Sequence, residues 1–94
     1  MNDYKILYEE DNLVLVKYTK ELTNKDYGPY SFGLKEDLYN IYSFPVNQSL
    51  LKKTNCIKLL RKFIKINKEY SNKYNLEDKN QKIYKKMIKV LECE

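Results

Sequence analysis

The sequence predicts a single α+β domain over residues 1–94, in the order ββββαα. We expect a small antiparallel sheet of two hairpins in the N-terminal half, packed on two antiparallel amphipathic helices in the C-terminal half. Both glycines and both prolines lie before residue 48, and these residues typically mark turns between strands. The C-terminal half has neither, and its apolar residues recur with the period of a helix.

The first hairpin is predicted from two runs rich in β-branched and aromatic residues, Tyr4–Tyr8 and Leu13–Tyr18. The polar loop Glu9–Asn12 separates them. Leu13–Val16 is apolar at four consecutive positions, which would place apolar side chains on both faces of the strand. That pattern is typical of a central or covered strand.

A turn is predicted at Tyr27–Tyr30, where Pro29 presets φ and Gly28 tolerates positive φ. The runs Tyr30–Leu34 and Leu38–Phe44 then predict a second hairpin, with residues 35–37 as its loop. Pro45 is expected to end that hairpin, because proline cannot donate to a strand ladder.

The first helix is predicted from Thr54 to Tyr74. At about 100° per residue, its apolar side chains fill about half of the circumference and its charged side chains fill most of the rest. Phe63 and Ile64 lie inside the apolar arc and are predicted to be core residues. The same arc includes Cys56, so we expect that thiol to be buried as a small apolar group.

The second helix is predicted to start at Leu76. Asn75 is a favourable N-cap residue, and Glu77 and Asp78 would occupy the first turn, where acidic side chains are favoured. Met87 lies near the centre of the apolar side. The short joint between the helices favours an antiparallel pair.

Composition argues against an enzyme. The chain has no His, so it can have no imidazole base and no histidine-containing metal site. Its two cysteines are too few for a cysteine-only zinc site, and the acidic turn at residues 9–11 lacks the spacing of a calcium loop. We therefore expect no catalytic residue, no metal and no cofactor.

Charge is distributed unevenly along the chain. The formal net charge is +5, but residues 1–47 carry −3 and residues 48–94 carry +8. Lysine outnumbers arginine 17 to 1, and codon bias in an AT-rich gene explains an excess of lysine without any function. Codon bias acts on the whole gene, however, so the asymmetry still indicates an anionic partner.

The basic faces of the two helices are the main candidate binding surface. A phosphate backbone, a ribonucleoprotein or an acidic protein surface would fit them, and a solubilising lysine surface is the alternative. The predominance of Lys favours contacts to phosphates over reading of bases, which usually requires Arg. The candidate residues are Lys58, Arg61, Lys62, Lys65, Lys68, Lys82, Lys85, Lys86 and Lys89.

Tyrosines crowd the N-terminal half and are a second candidate surface. Tyr supplies a large contact area at a low entropic cost and is frequent at interfaces. The alternative is that a chain without Trp or Ala fills its core and sheet faces with Tyr. The candidate interface aromatics are Tyr27, Tyr30, Tyr39 and Tyr42.

Together these features predict a non-enzymatic binding module that docks on nucleic acid or a ribonucleoprotein through its basic helical half. The alternative is a small inhibitor or adaptor that blocks a larger protein through a Tyr-rich and basic surface. In size and composition the chain resembles phage or mobile-element products such as anti-CRISPR proteins. The longest apolar run has four residues, so we expect no membrane span, and we expect a cytoplasmic location, in the host if the gene is phage-encoded.

Overall fold

The computed structural model describes residues 4–19, 28–38, 50–77 and 79–94. It confirms the α+β class, with a three-stranded antiparallel sheet and two long helices. The chain forms two compact units, Met1–Cys56 and Ile57–Glu94. The described elements are β1 (Tyr4–Glu10), β2 (Leu13–Tyr18), β3 (Tyr30–Leu34), α1 (Lys35–Leu38), α2 (Lys53–Tyr74) and α3 (Asn80–Glu92).

The sheet has the strand order β1-β2-β3, and the predicted first hairpin is confirmed. β1 continues to Glu10, two residues beyond the predicted end, so that the turn consists of Asp11 and Asn12. Asp11 has φ 52°, a left-handed conformation that Asp and Asn adopt more readily than most other residues. The register shifts between Ile6 and Tyr8, which is the signature of a β-bulge in β1.

β2 is the central strand of this sheet, and its apolar residues are buried on both faces as predicted. Val14 and Val16 lie on one face, with Tyr4 packed against them. Leu13 and Leu15 alternate with them and therefore lie on the other face, where they are also buried.

The structure confirms the first strand of the predicted second hairpin and corrects the predicted start of its second strand. β3 spans the predicted residues, but Lys35–Leu38 forms a helical turn and Leu38 does not begin a strand. The Lys35 backbone N–H donates to the Asn12 carbonyl at 2.6 Å, and the Lys35 ammonium lies 2.7 Å from the Glu9 carboxylate. These bonds hold the chain beside the β1–β2 turn. The rest of the predicted strand, residues 39–44, and Pro45 lie outside the described residues.

A distant residue pairs with the start of β3. The Tyr30 N–H donates to the Leu51 carbonyl at 3.0 Å, and the Leu51 N–H donates to the Tyr30 carbonyl at 2.8 Å. Gly28 is buried next to this bridge, and a Cβ on it would overlap the backbone of Leu51 and Lys52. Gly28 does not have positive φ, so close approach of two backbone segments, not turn conformation, requires glycine here.

α2 matches the prediction to within one residue at its start and ends at Tyr74 as expected. Only part of its apolar arc is buried, however. Cys56 and Leu60 have no exposed surface, and Ile64 is half-buried. The expectation that Phe63 belongs to the core is wrong, because its side chain is 37% exposed.

α3 begins at Asn80, four residues later than predicted. Asn75 is not its N-cap: it has φ 54° directly after α2, and the next residue, Leu76, donates its N–H to the Ser71 carbonyl at 2.9 Å. This is the Schellman arrangement that ends helices. Lys79 occupies the N-cap position of α3 and makes no side-chain capping hydrogen bond.

The two long helices contact each other through a ring pair. The Phe63 and Tyr84 ring centroids are 6.0 Å apart, and the ring planes are inclined at 33°. Met87 on α3 is fully buried, as predicted. The antiparallel orientation of the helices stays a prediction. None of the described helices has the length and apolar character that crossing a membrane requires.

Candidate functional site

All of the basic residues proposed as a binding surface are exposed. Five of them lie on α2 and four on α3, within the unit Ile57–Glu94. The five on α2 are Lys58, Arg61, Lys62, Lys65 and Lys68, and the four on α3 are Lys82, Lys85, Lys86 and Lys89. Their exposure is a finding, while their role in binding remains a prediction.

α3 is strongly amphipathic, with lysines on one face and buried apolar side chains on the other. Its lysines recur at spacings of three, one and three residues, which keeps them on one side of the helix over about 10 Å. The side chains on the opposite face are buried, namely Ile83, Tyr84, Met87, Ile88 and Leu91. Glu92 is the one acidic residue in the α3 sequence, so this lysine face has a uniform positive charge except at its C-terminal end.

α2 presents a longer basic surface. Lys58, Lys62 and Lys65 are spaced as neighbours on one ridge, again over about 10 Å. Arg61 and Lys68 lie two turns apart in a neighbouring row. Glu69 is the one acidic residue among the 22 residues of α2, so little negative charge offsets the ridge.

The charge asymmetry follows the two structural units. Residues 57–94 contain eleven basic and five acidic residues, a formal net charge of +6, whereas residues 1–56 have a net charge of −1. The excess positive charge of the whole chain is therefore carried by the helical unit. Concentrated charge of this kind attracts anions and accelerates their association.

The structure places only one of the four candidate interface tyrosines. Tyr30 is 6% exposed, and the Lys17 ammonium lies 5.7 Å from the centroid of its ring. Its ring therefore contributes little to the accessible surface. The other candidates, Tyr27, Tyr39 and Tyr42, lie outside the described residues.

The structure has a second surface feature that the sequence did not predict. Four large side chains on the apolar arc of α2 are exposed along its C-terminal half. They are Phe63 (37% exposed), Ile66 (48%), Tyr70 (57%) and Tyr74 (52%). The width of the apolar arc of α2 could have indicated this exposure. The arc covers about half of the helix circumference, whereas a helix needs an apolar stripe of only about 100° to pack on a core.

Nucleophilic and metal-binding groups are sparse in the part of the chain that the structure describes. No group of three or more Cys, Asp or Glu side chains there is arranged to hold a metal ion. Cys56 is buried, and desolvation raises the pKa of its thiol to about 12. At neutral pH this thiol is protonated, which makes it a poor nucleophile. Cys93 is exposed near the C-terminus.

Comparison with known proteins returns no relative. Neither a protein-family model, nor a curated protein, nor a solved structure matches this chain. Function is therefore inferred from the charge, exposure and spacing of the chain's own residues.

Proposed function

We propose that this chain is a non-enzymatic binding module whose helical unit docks on nucleic acid or a ribonucleoprotein, mainly through the phosphate backbone. The observation that carries the proposal is the exposure of nine basic side chains on the two helices, with one acidic residue in each helix sequence. A polyanion neutralises such a surface and releases its own condensed counterions, which favours binding.

The spacing of the lysines supports a linear anionic partner. Lys58, Lys62 and Lys65 place ammonium groups along about 10 Å of one ridge. Phosphates in duplex DNA recur at about 1.7 Å of helix axis when both strands are counted, so several phosphates fall within reach of the ridge. Lysine ammonium groups act on phosphates as point charges, and little selectivity for base sequence follows.

The alternative function is a small inhibitor or adaptor that binds a larger, acidic protein. The sequence predicts that such a protein binds its partner through a Tyr-rich surface together with the lysines. Tyr30 is buried and so adds nothing to an exposed aromatic surface, which weakens that form of the alternative. The basic helical faces support both proposals, and experiment separates them.

Salt-dependent binding tests the proposed function. The affinity of the chain for single-stranded and duplex DNA and RNA of one length is measured between about 50 and 200 mM salt. If six phosphates of duplex DNA are neutralised, the logarithm of the association constant falls linearly with log salt, with a slope of about −5, and affinity drops about 1,000-fold over this range; the slope for a single strand is about −4. An absence of binding to every probe at the lowest salt would overturn the proposal and favour an acidic protein partner.

A further inference from the structure

The C-terminal half of α2 carries an exposed apolar ridge. We use "the α2 ridge" for Phe63, Ile66, Tyr70 and Tyr74, which are spaced by three, four and four residues. Side chains at these spacings are neighbours on a helix surface. The α2 ridge is therefore continuous, and its length is about 16 Å.

Aromatic rings dominate the exposed surface of the α2 ridge. The Tyr70 and Tyr74 ring centroids are 4.6 Å apart, with an angle of 48° between the ring planes. Both side chains are more than half exposed. Phe63 contacts Tyr84 on one side but keeps more than a third of its surface exposed. The ridge thus offers three aromatic rings on one helix face.

Lysines border the α2 ridge on the side of the basic surface. Lys62 lies four residues before Ile66, and Lys73 lies three residues after Tyr70, so each is next to the ridge on the helix surface. Both lysines are exposed. The Lys73 ammonium is 5.5 Å from the centroid of the Tyr74 ring, within the range of a cation–π interaction.

The positive charge of Lys62 and Lys73 indicates which kind of partner binds the α2 ridge. A second copy of this chain would bring the same lysines together across the interface, and like charges oppose such pairing. A polyanion with flat aromatic groups matches both parts of the surface. In a duplex the base faces are covered by stacking on their neighbours, whereas the bases of a single strand are free to stack on aromatic side chains.

We infer that the α2 ridge is a stacking surface for the unpaired bases of single-stranded DNA or RNA, and that the adjacent lysines hold the phosphates. This inference rests on the proposed function and narrows it to single strands. It places the bases against Tyr70, Tyr74 and Phe63, and the backbone along Lys62 and Lys73. No base-specific hydrogen bond is needed, so selectivity for sequence is low.

The test compares a 15-nucleotide oligo(dT) with a duplex of 15 base pairs at about 50 mM salt. The parent chain is expected to bind the single strand at least about 5-fold more tightly, since each stacked base contributes at least that factor. A Tyr70→Leu/Tyr74→Leu variant keeps the charge and apolar character of the surface but loses both rings. It should lose about 10-fold or more of its affinity for oligo(dT), with unchanged duplex affinity and unchanged salt slope.

The matched control is the Tyr70→Phe/Tyr74→Phe variant, which keeps both rings and should bind oligo(dT) like the parent. The chain lacks Trp and has ten Tyr, so tyrosine quenching on binding indicates stacking on Tyr70 and Tyr74 where it occurs in the parent and is weaker in the phenylalanine variant. Circular dichroism verifies that both variants keep their helices.

Four results would overturn the inference. If the leucine variant binds oligo(dT) as tightly as the parent, or the parent binds duplex equally well, the ridge does not stack bases, although the proposed function survives. If the parent sediments as a dimer and the leucine variant as a monomer, the ridge is a self-association surface. If no nucleic acid binds at about 50 mM salt, the proposed function fails and this inference fails with it.

Discussion

Leu60 and Phe63 lie less than one turn apart on α2, but they differ in burial. Leu60 has no exposed surface, whereas Phe63 is 37% exposed, with its ring centroid 6.0 Å from that of Tyr84. A buried side chain stabilises the fold through all of its contacts, and its removal leaves a cavity. An exposed side chain loses fewer contacts when it is shortened, so residue size alone does not rank the two positions.

We expect Leu60→Ala to destabilise the chain more than Phe63→Ala, although it removes fewer atoms. The Leu60 change should cost about 3 kcal/mol or more, and the Phe63 change about 1–2 kcal/mol. Urea denaturation followed by circular dichroism measures both. An equal or larger loss of stability for Phe63→Ala would show that its ring is a core element.

Gly28 is a second position where one residue decides local structure. Gly28→Ala would push a methyl group into the backbone of Leu51 and Lys52 and strain the bridge between Leu51 and Tyr30. We expect a loss of about 1–3 kcal/mol, typical of overpacking. Lys52→Ala, which shortens an exposed side chain on the same segment, is the control and should stay within about 0.5 kcal/mol of the parent. A Gly28→Ala variant as stable as the parent would contradict the close approach.

At the scale of secondary-structure elements, the end of α2 depends on Asn75. Its φ of 54° is accessible to Gly and Asn but costs other residues about 1–2 kcal/mol, and β-branched residues fit it worst. The hydrogen bond from the Leu76 N–H to the Ser71 carbonyl depends on this conformation.

Asn75→Val should therefore destabilise the chain by about 1–2 kcal/mol, whereas Asn75→Gly should be neutral or slightly stabilising. Asn72→Val is a matched control inside α2, because Asn and Val have similar helix propensities. Thermal unfolding of the three variants gives the comparison. If Asn75→Val unfolds at the same temperature as Asn72→Val, Asn75 does not need the left-handed conformation.

The basic face of α2 is tested by reversing its charge. A variant with Lys58, Lys62 and Lys65 changed to Glu has a net charge of −1 in place of +5. All three side chains are exposed, so each change should alter stability by no more than about 0.5 kcal/mol. Nucleic-acid affinity should fall strongly, and its salt dependence should become shallower.

The control for this variant reverses Lys5, Lys52 and Lys79, which are exposed but lie outside the candidate surface. It has the same net charge of −1, so any difference between the two variants reports position and not total charge. If both bind equally well, or the first variant binds like the parent, the lysine ridge of α2 is solubilising surface only.

At the scale of the whole molecule, the charge asymmetry predicts where a polyanion binds. Residues 57–94 carry a net charge of +6 and residues 1–56 a net charge of −1. Titration of an isotope-labelled chain with oligo(dT) should therefore shift backbone amide NMR signals of α2 and α3 and leave those of β1, β2 and β3 nearly unchanged. The largest shifts in the strands would contradict this prediction and direct attention to the tyrosines of the first half.

Local patterns were sufficient to predict several elements. Two runs rich in β-branched and aromatic residues predicted the β1–β2 hairpin, four consecutive apolar residues predicted that Leu13–Val16 lies in a central strand, and helical periodicity predicted α2 almost to the residue. The polar faces of both helices were also predicted, because charged side chains favour water wherever the helix lies. Hairpin pairing and helical periodicity connect residues that are close in the chain, so the local sequence is enough to predict them.

Only the tertiary structure showed which residues pair over long distances in the chain and which apolar side chains are buried. The backbone partner of Tyr30 is Leu51, 21 residues away, and the chain after β3 turns into α1 through bonds to Asn12 and Glu9. The sequence likewise did not show which part of the α2 apolar arc is buried: Cys56 and Leu60 have no exposed surface, whereas Phe63, Ile66, Tyr70 and Tyr74 are exposed. Periodicity sorts side chains around one element, but burial requires another part of the chain to cover them.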